Sequence, residues 1–304
     1  MSAVPATAAP PGPVAVIGAG TMGAGIAQVA AAAGREVVLY SRTRATLDRS
    51  MATMDASLRR LARRESATPE AFDTDRVLGR VTLTTELDAC SPAAVVIESV
   101  AEELGLKRRL FAELDGMCAE AQVLATNTSQ LRIGEIAAVT RRPERVVGTH
   151  FFAPVPVMRL CEIVRGPATS DRTVEAVCAF AEEIGKQTIV VHHDTPGFVT
   201  TRLLSVLILE AIRMVEDDTC SAADIDLACR LGFGHPMGPL ASVDLSGLDV
   251  FHSVAKGLHD TTGNPLYEVP ALLGELVAAG HHGRKTGRGF HAYAGPDPAG
   301  SDRP

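Results

Sequence analysis

The chain has 304 residues, of which 46% are hydrophobic and 21% are charged. These shares are ordinary for a globular protein and exclude disorder of the whole chain, and the length favours about two domains. Lys and Arg number 29 against 36 Asp and Glu, and a net charge of −7 makes nucleic acid a poor partner. The six cysteines include no Cys-x-x-Cys pair, which argues against a zinc ribbon or a disulfide framework.

The two ends of the chain differ from the rest in composition. The N-terminus is an Ala/Pro stretch without the charged region of a signal peptide, and the C-terminus is rich in Gly, Pro and Asp. We therefore expect disordered tails over residues 1–12 and 295–304. No apolar run reaches transmembrane length, so we expect a cytoplasmic protein with reduced thiols, no membrane partner and no metal.

Residues 13–196 show the alternation of an α/β domain. A buried strand at Pro13–Gly18, an Ala-rich helix at Thr21–Ala33 and a strand at Glu36–Tyr40 make a βαβ unit. Further strands are predicted at Val95–Glu98, Val123–Ala125, Val146–Phe152, Cys161–Val164 and Thr188–Val191, and helices at Ser50–Arg64, Lys107–Ala119 and Asp171–Gly185. This order predicts a Rossmann-type doubly wound sheet.

The sequence pattern changes at Asp194-Thr195-Pro196-Gly197, where Pro-Gly indicates a domain boundary. Helices are predicted beyond it at Leu203–Val215, Ala222–Leu231, Val250–Leu258 and Leu266–Ala278. Residues 197–294 are therefore expected to form a mostly α-helical domain. We expect this domain to bind substrate. The apolar run from Leu203 exceeds what one helix face can bury, so the domain is apolar enough for an interface.

A G-x-G-x-x-G motif lies between the first strand and the first helix. The first glycine would allow a tight turn, the second would let a pyrophosphate approach and the third would allow close helix–strand packing. The free N–H groups of the helix would then face the anion. The alternative is a plain glycine turn. The motif predicts cofactor contacts at Gly18, Ala19, Gly20, Thr21, Met22 and Gly23.

The second strand ends without the carboxylate that would bind the ribose of NAD. Ser41, Arg42 and Arg44 stand there instead. A hydroxyl and two guanidinium groups suit a 2′-phosphate, so the sequence favours NADP(H) over NAD(H). The alternative is that both arginines are solvated surface charges.

Seven segments in the same order resemble the 3-hydroxyacyl-CoA dehydrogenase family. They are VIGAGTMGAGIA, VIESVAEELGLKRRLFAELD, TNTSQLRIGEIA, THFFAPVPVMRLCEIV, DTPGFVTTRLL and the pair DIDLACRLGFGHPMGP and GRKTGRGF. The resemblance covers almost the whole chain. It implies NAD(P)-dependent interconversion of a 3-hydroxyacyl thioester, short-chain and linked to CoA, and the 3-ketoacyl thioester, and it implies dimerisation through the helical part.

The resemblance also implies roles for single residues. His150 falls on the catalytic histidine, Glu162 on its partner glutamate and Ser129 on the serine that holds the substrate oxygen. Cofactor contacts fall on Glu102, Lys107 and Lys285, with Asn127 of the Asn127-Thr128-Ser129 turn as a further candidate. Ser57 and Arg64 fall on the helix that contacts CoA.

The chemistry of two of these residues is reasonable without the family. A histidine near neutral pKa can exchange the hydroxyl proton, and a carboxylate on its other ring nitrogen would fix the tautomer. The alternatives are a structural histidine for His150 and a helix cap for Ser129.

Two positions depart from the family pattern. Ala153 and Thr201 stand where the family has asparagines, the second of them in the catalytic group. Thr201 offers a hydroxyl, but its side chain is shorter than that of asparagine and carries no amide. These changes leave two alternatives open: a biosynthetic dehydrogenase acting on a hydroxyacyl group on an acyl carrier protein, and a non-catalytic dinucleotide-binding relative.

Overall fold

The computed structural model describes residues 8–64 and 73–293, and the chain divides into two compact units, Met1–Thr195 and Pro196–Pro304. Most of the two predicted tails lies outside the described residues. Residues 8–12 are described, however, and they are held in place. Pro10 is buried, and Arg35 Nη1 donates to the carbonyl oxygens of Pro10 and Gly12. The predicted tail 1–12 is therefore too long at its C-terminal end.

An eight-stranded sheet forms the centre of the first unit. Its strands are β1 Val14–Ile17, β2 Val37–Tyr40, β3 Val81–Thr84, β4 Val95–Glu98, β5 Val123–Thr126, β6 Val146–Phe151, β7 Leu160–Val164 and β8 Gln187–Val191. Their order is β3-β2-β1-β4-β5-β6-β7-β8, and all neighbours are parallel except β6 and β7. This confirms the predicted doubly wound fold.

The α-helices in the described residues of this unit are α1 Thr21–Ala32, α2 Arg44–Arg64, α3 Thr74–Leu78, α4 Leu104–Met117, α5 Ile133–Ala137 and α6 Asp171–Glu183. Three elements were not predicted, namely β3, α3 and α5. Each has only four or five residues, and β3 is an edge strand with one buried side chain, so its apolar signal is weak. Helix α2 also begins six residues earlier than expected, at Arg44.

The strand segments β1, β4 and β5 are buried at every residue, because helices cover both faces of a parallel sheet. Their apolar runs end at the carboxyl edge, where polar residues follow. Ligands of doubly wound sheets bind at this edge, next to the strand where the order reverses. Here that strand is β1, which lies between β2 and β4.

The second unit is helical, as predicted. Its helices are α7 Thr200–Glu216, α8 Ala222–Gly232, α9 Pro239–Ser246, α10 Leu248–Thr262 and α11 Ala271–Ala278. The predicted helix Leu266–Ala278 is wrong over its first part. A short 3₁₀ turn covers Pro265–Tyr267, and Pro270 then caps α11, since proline disfavours helix at the residue before it. Helix α9 was not predicted.

The second unit has its own apolar core, which includes Ile212, Leu240, Leu248, Leu258 and Leu273. No helix in the described part of the chain is both long and apolar enough to span a membrane.

Candidate active site

Three glycines shape the turn between β1 and α1. Gly18 has φ +112°, a backbone conformation that residues with a side chain rarely adopt, and a Cβ there would clash with the backbone of Ser99. A Cβ on Gly23 would overlap the Gly18 carbonyl oxygen, so the helix packs directly on the turn. At Gly20 a Cβ would meet nothing within 4 Å. The turn therefore leaves open space next to the first N–H groups of α1, which suits a pyrophosphate.

A groove of about 600 Å³ lies at the carboxyl ends of β1, β2 and β4. Ser41 and Arg42 line it beside Gly18, Ala19 and Gly20. Arg44 lies outside the lining, and its Nε donates to Asp48 Oδ1 at 2.9 Å on the same helix. Of the two arginines predicted to bind phosphate, Arg42 alone faces the groove. Thr21 and Met22 form the exposed and half-buried start of α1.

His150 and Glu162 face each other across the antiparallel pair β6–β7, in direct register. His150 Nδ1 lies 2.6 Å from Glu162 Oε2, and the pair is buried, with Glu162 fully so. The His150 ring also packs against Phe152 at 4.5 Å between centroids. The carboxylate holds one ring nitrogen and so sets the orientation of the imidazole. Such a pair can accept and return one proton.

Ser129 lies in the turn that follows β5, and Glu102 organises this turn. Glu102 Oε1 accepts hydrogen bonds from Thr128 Oγ1, from Ser129 N at 2.9 Å and from Gln130 N at 3.3 Å. One carboxylate oxygen thus fixes three consecutive residues. Glu102 itself follows β4, so it ties the ends of two neighbouring strands together.

The side-chain amide of Asn127 forms hydrogen bonds with other groups of the protein. Its Oδ1 accepts from Phe151 N at 3.1 Å, and its Nδ2 donates to Ser99 Oγ at 3.1 Å. Phe151 is the neighbour of His150, so Asn127 links the Ser129 turn to the strand that carries the histidine. Its predicted cofactor contact stays a prediction.

Lys107 is completely buried, whereas a cofactor contact would require it to reach the groove. Its Nζ lies 2.7 Å and 2.9 Å from the two oxygens of Glu98 and 3.5 Å from Glu102 Oε2. Any influence of Lys107 on a cofactor would pass through these two glutamates. Burial raises the pKa of Glu98, and Lys107 opposes that shift.

Four further predicted residues lie on α2 or in the second unit. Ser57 is half-buried on α2, and Arg64 ends that helix. In the second unit, Thr201 is half-buried near the start of α7, and Lys285 Nζ binds Asp249 Oδ1 at 2.6 Å. Their roles stay predictions.

Sequence reasoning missed two residues of the site. Glu98 is the last residue of β4. Ligands bind at the carboxyl ends of parallel strands, and this rule, which drew attention to Ser129, could have found Glu98 as well. Arg109 lines the groove from α4, but nothing in the sequence marks which side of that helix faces a ligand. Within residues 8–64 and 73–293, no group of three or more His, Cys, Asp or Glu could hold a metal ion.

Comparison with known proteins agrees with this geometry. Residues 13–195 match the model of the 3-hydroxyacyl-CoA dehydrogenase NAD binding domain, and residues 197–293 match that of the 3-hydroxyacyl-CoA dehydrogenase C-terminal domain. The chain is 41% identical to the mitochondrial hydroxyacyl-coenzyme A dehydrogenase of Sus scrofa, over 92% of this chain and 90% of that protein. It is 42% identical to a probable 3-hydroxybutyryl-CoA dehydrogenase of Bacillus subtilis, over 91% and 96%.

Solved structures give the same result. FadB2 of M. tuberculosis superposes with a TM-score of 0.88 at 41% identity, over 95% of this chain and 100% of that one. The (S)-3-hydroxybutyryl-CoA dehydrogenase PaaH1 of Ralstonia eutropha has a TM-score of 0.88 at 40% identity, over 93% and 99%.

The doubly wound sheet, the glycine turn and the groove beside it define a dinucleotide-binding protein of the oxidoreductase class. The chain belongs to the 3-hydroxyacyl-CoA dehydrogenase family.

Proposed function

We propose that this enzyme interconverts a short-chain 3-hydroxyacyl-CoA and the 3-ketoacyl-CoA, with His150 and Glu162 as the proton-transfer pair and NADP(H) as the favoured cofactor. The observation that carries the proposal is the buried contact of 2.6 Å between His150 Nδ1 and Glu162 Oε2. A buried carboxylate on one ring nitrogen leaves the other nitrogen, Nε2, as the atom that exchanges a proton with substrate.

In the oxidation direction, His150 Nε2 takes the proton from the 3-hydroxyl as the carbon–hydrogen bond at C3 breaks. A nicotinamide bound in the groove would supply the acceptor for the hydride. Glu162 stabilises the imidazolium that results. In the reduction direction, His150 returns the proton to the carbonyl oxygen of the 3-ketoacyl group. Ser129 would donate a hydrogen bond to that oxygen, in a turn held rigid by Glu102.

The preference for NADP(H) rests on Ser41 and Arg42, which line the groove where a family member that uses NAD would present a carboxylate. A guanidinium binds a phosphate dianion by charge-assisted hydrogen bonds, whereas it gains little from a neutral ribose. Gly20 and the first N–H groups of α1 would face the pyrophosphate, while Gly18, Ala19 and Gly23 shape the turn beside it.

The relatives described above are named for CoA substrates, so CoA is favoured over an acyl carrier protein. Ser57 and Arg64 on α2 remain the proposed CoA contacts. A homodimer through the second unit is supported by its exposed apolar side chains, among them Leu203, Leu231 and Phe233. A cytoplasmic location stays a prediction, and some relatives are named as mitochondrial.

The test is reduction of acetoacetyl-CoA followed at 340 nm, with NADPH and NADH in parallel. We expect turnover with both and a higher kcat/KM with NADPH. The variant His150→Gln should lose turnover by at least about 100-fold, since general acid catalysis contributes that much. Its NADPH affinity, measured by the fluorescence of the bound dinucleotide, should be unchanged. Retained turnover would refute the role of His150, and equal kcat/KM values would refute the cofactor preference.

A further inference from the structure

We propose that Arg109 of α4 is a second ligand of the cofactor's 2′-phosphate and acts together with Arg42. This inference rests on the proposed use of NADP(H) and extends the recognition of its phosphate to a helix on the other wall of the groove.

The sheet topology places Arg42 and Arg109 on opposite sides of the groove. Strand β1 lies between β2 and β4 in the sheet. Arg42 follows β2, whereas Arg109 lies on α4, which follows β4. Both side chains line the groove of about 600 Å³ above the glycine turn. The cofactor's adenosine half would lie between them.

The charge of the lining points to an anion. The charged residues that line the groove are Arg42, Arg109 and Glu113, so two cations stand against one carboxylate. Within the described part of the chain, neither guanidinium has a side-chain or backbone hydrogen bond, whereas the nearby Arg44 is bound to Asp48. A guanidinium presents its N–H donors in a fixed planar arrangement, and this arrangement matches the oxygens of a phosphate.

The course of the Arg109 side chain along α4 brings its guanidinium towards the groove. Its Nη1 lies 3.5 Å from the place that a Cβ on Gly105 would occupy, so the side chain runs back along α4 towards the helix N-terminus. That end of α4 meets the carboxyl edge of the sheet, and Leu106 of the same turn also lines the groove.

An arginine in this place could instead cover the adenine ring, and the two roles predict different results. A phosphate ligand affects NADPH alone, because NADH has no 2′-phosphate. A residue that covers the adenine affects both dinucleotides equally, because they share that ring.

The experiment measures the Kd of NADPH and of NADH by dinucleotide fluorescence, without substrate, for the wild type, Arg109→Ala and Arg109→Lys. Arg108→Ala is the matched control, since Arg108 is the exposed neighbour on α4 and does not line the groove. Loss of one charge-assisted phosphate contact should weaken NADPH binding by about tenfold or more in Arg109→Ala. NADH binding should change less than about twofold, and Arg109→Lys should recover part of the NADPH affinity.

An equal loss for both dinucleotides, or no loss for either, would overturn the role of Arg109, provided that thermal unfolding shows the variant to be folded. The wild-type ratio of the two Kd values tests the proposed NADP(H) preference separately. A selective effect of Arg109→Ala on NADPH would support the role of Arg109 whatever that ratio is.

Discussion

Glu98 and Lys107 form an ion pair inside the first unit, with 2.7 Å between Lys107 Nζ and Glu98 Oε1 and neither side chain exposed. Thr126 Oγ1 and Val100 N also donate to the carboxylate. The pair thus joins β4, β5 and α4 directly beneath the groove. Its charges are tolerated in the interior because every oxygen of Glu98 is hydrogen-bonded.

The variant Lys107→Met should lower the free energy of unfolding by about 3–5 kcal/mol, because it leaves an uncompensated carboxylate in the interior. Burial raises the pKa of Glu98, so the folded variant binds a proton more tightly than the unfolded chain. The deficit should therefore be largest at neutral pH and shrink as the pH falls towards the ordinary glutamate value of about 4.3. Urea unfolding at several pH values measures it. The double variant with Glu98→Gln serves as the control and should recover much of the loss, and a deficit independent of pH would contradict this account.

The variant Glu162→Gln should reduce kcat by about 10²–10⁴-fold, because the amide cannot stabilise the imidazolium form of His150. NADPH affinity should be unchanged, since the pair lies outside the lining of the groove. Steady-state kinetics and dinucleotide fluorescence measure the two effects. A variant that keeps the wild-type kcat would refute a role for Glu162 in proton transfer.

Alanine at two glycines of the same turn should have opposite consequences. Gly23→Ala should destabilise the first unit strongly, because its Cβ would overlap the Gly18 carbonyl oxygen. Gly20→Ala should leave the unfolding temperature nearly unchanged, because its Cβ would meet no protein atom within 4 Å, but it should weaken NADPH binding. Thermal unfolding and dinucleotide fluorescence separate the two effects. Tight NADPH binding by Gly20→Ala would argue against a pyrophosphate at this turn.

Cys90 and Cys118 of the first unit are buried and should resist alkylation in the folded protein. Burial raises the pKa of Cys90 to about 12 and that of Cys118 to about 11, and only the thiolate reacts. At pH 8 iodoacetamide should label the half-buried Cys220 well before either of them. Mass spectrometry of peptides after timed labelling measures the order. Fast labelling of Cys90 in the native state would show that this part of the core opens readily.

The variant Asp244→Ala should destabilise the second unit. The buried Asp244 carboxylate accepts hydrogen bonds from Phe290 N, His291 N and Tyr293 Oη, each at 2.9 Å. The three donors are half-buried, and the loss of one such hydrogen bond costs about 0.5–1.5 kcal/mol. Asp260→Ala is the control, since Asp260 forms an exposed pair with Lys256. Chemical unfolding should show a clear loss for Asp244→Ala alone, and equal stability of both variants would contradict the assignment.

Much of the sheet could be predicted from the sequence, because strands such as β4 and β5 are apolar runs buried on both faces. The edge strand β3 escaped prediction because its side chains are mostly half-exposed and its four residues carry little pattern. Helix α9 escaped prediction because its eight residues follow a segment rich in Gly and Pro, which reads as a loop.

The site could be predicted in part. The glycine turn and the residues around His150 follow local motifs, so their positions were expected. The burial of Lys107 was not, because lysine is almost always exposed unless it is paired, and its partner Glu98 lies nine residues away. Likewise, no sequence pattern tells whether Arg44 or Arg109 faces the groove.

The antiparallel pairing of β6 and β7 fixes the position of His150 relative to Glu162. Backbone hydrogen bonds between the strands hold His150 opposite Glu162, and residues 152–159 return the chain from one strand to the other. This connection is itself anchored, because Phe152 packs against the His150 ring and the buried Lys186 donates to the carbonyl oxygens of Val155 and Met158. A slip of one residue in either strand would turn one of the two side chains to the opposite face of the sheet. The histidine and the glutamate are therefore kept together by the register of two strands as well as by the packing of the segment that joins them.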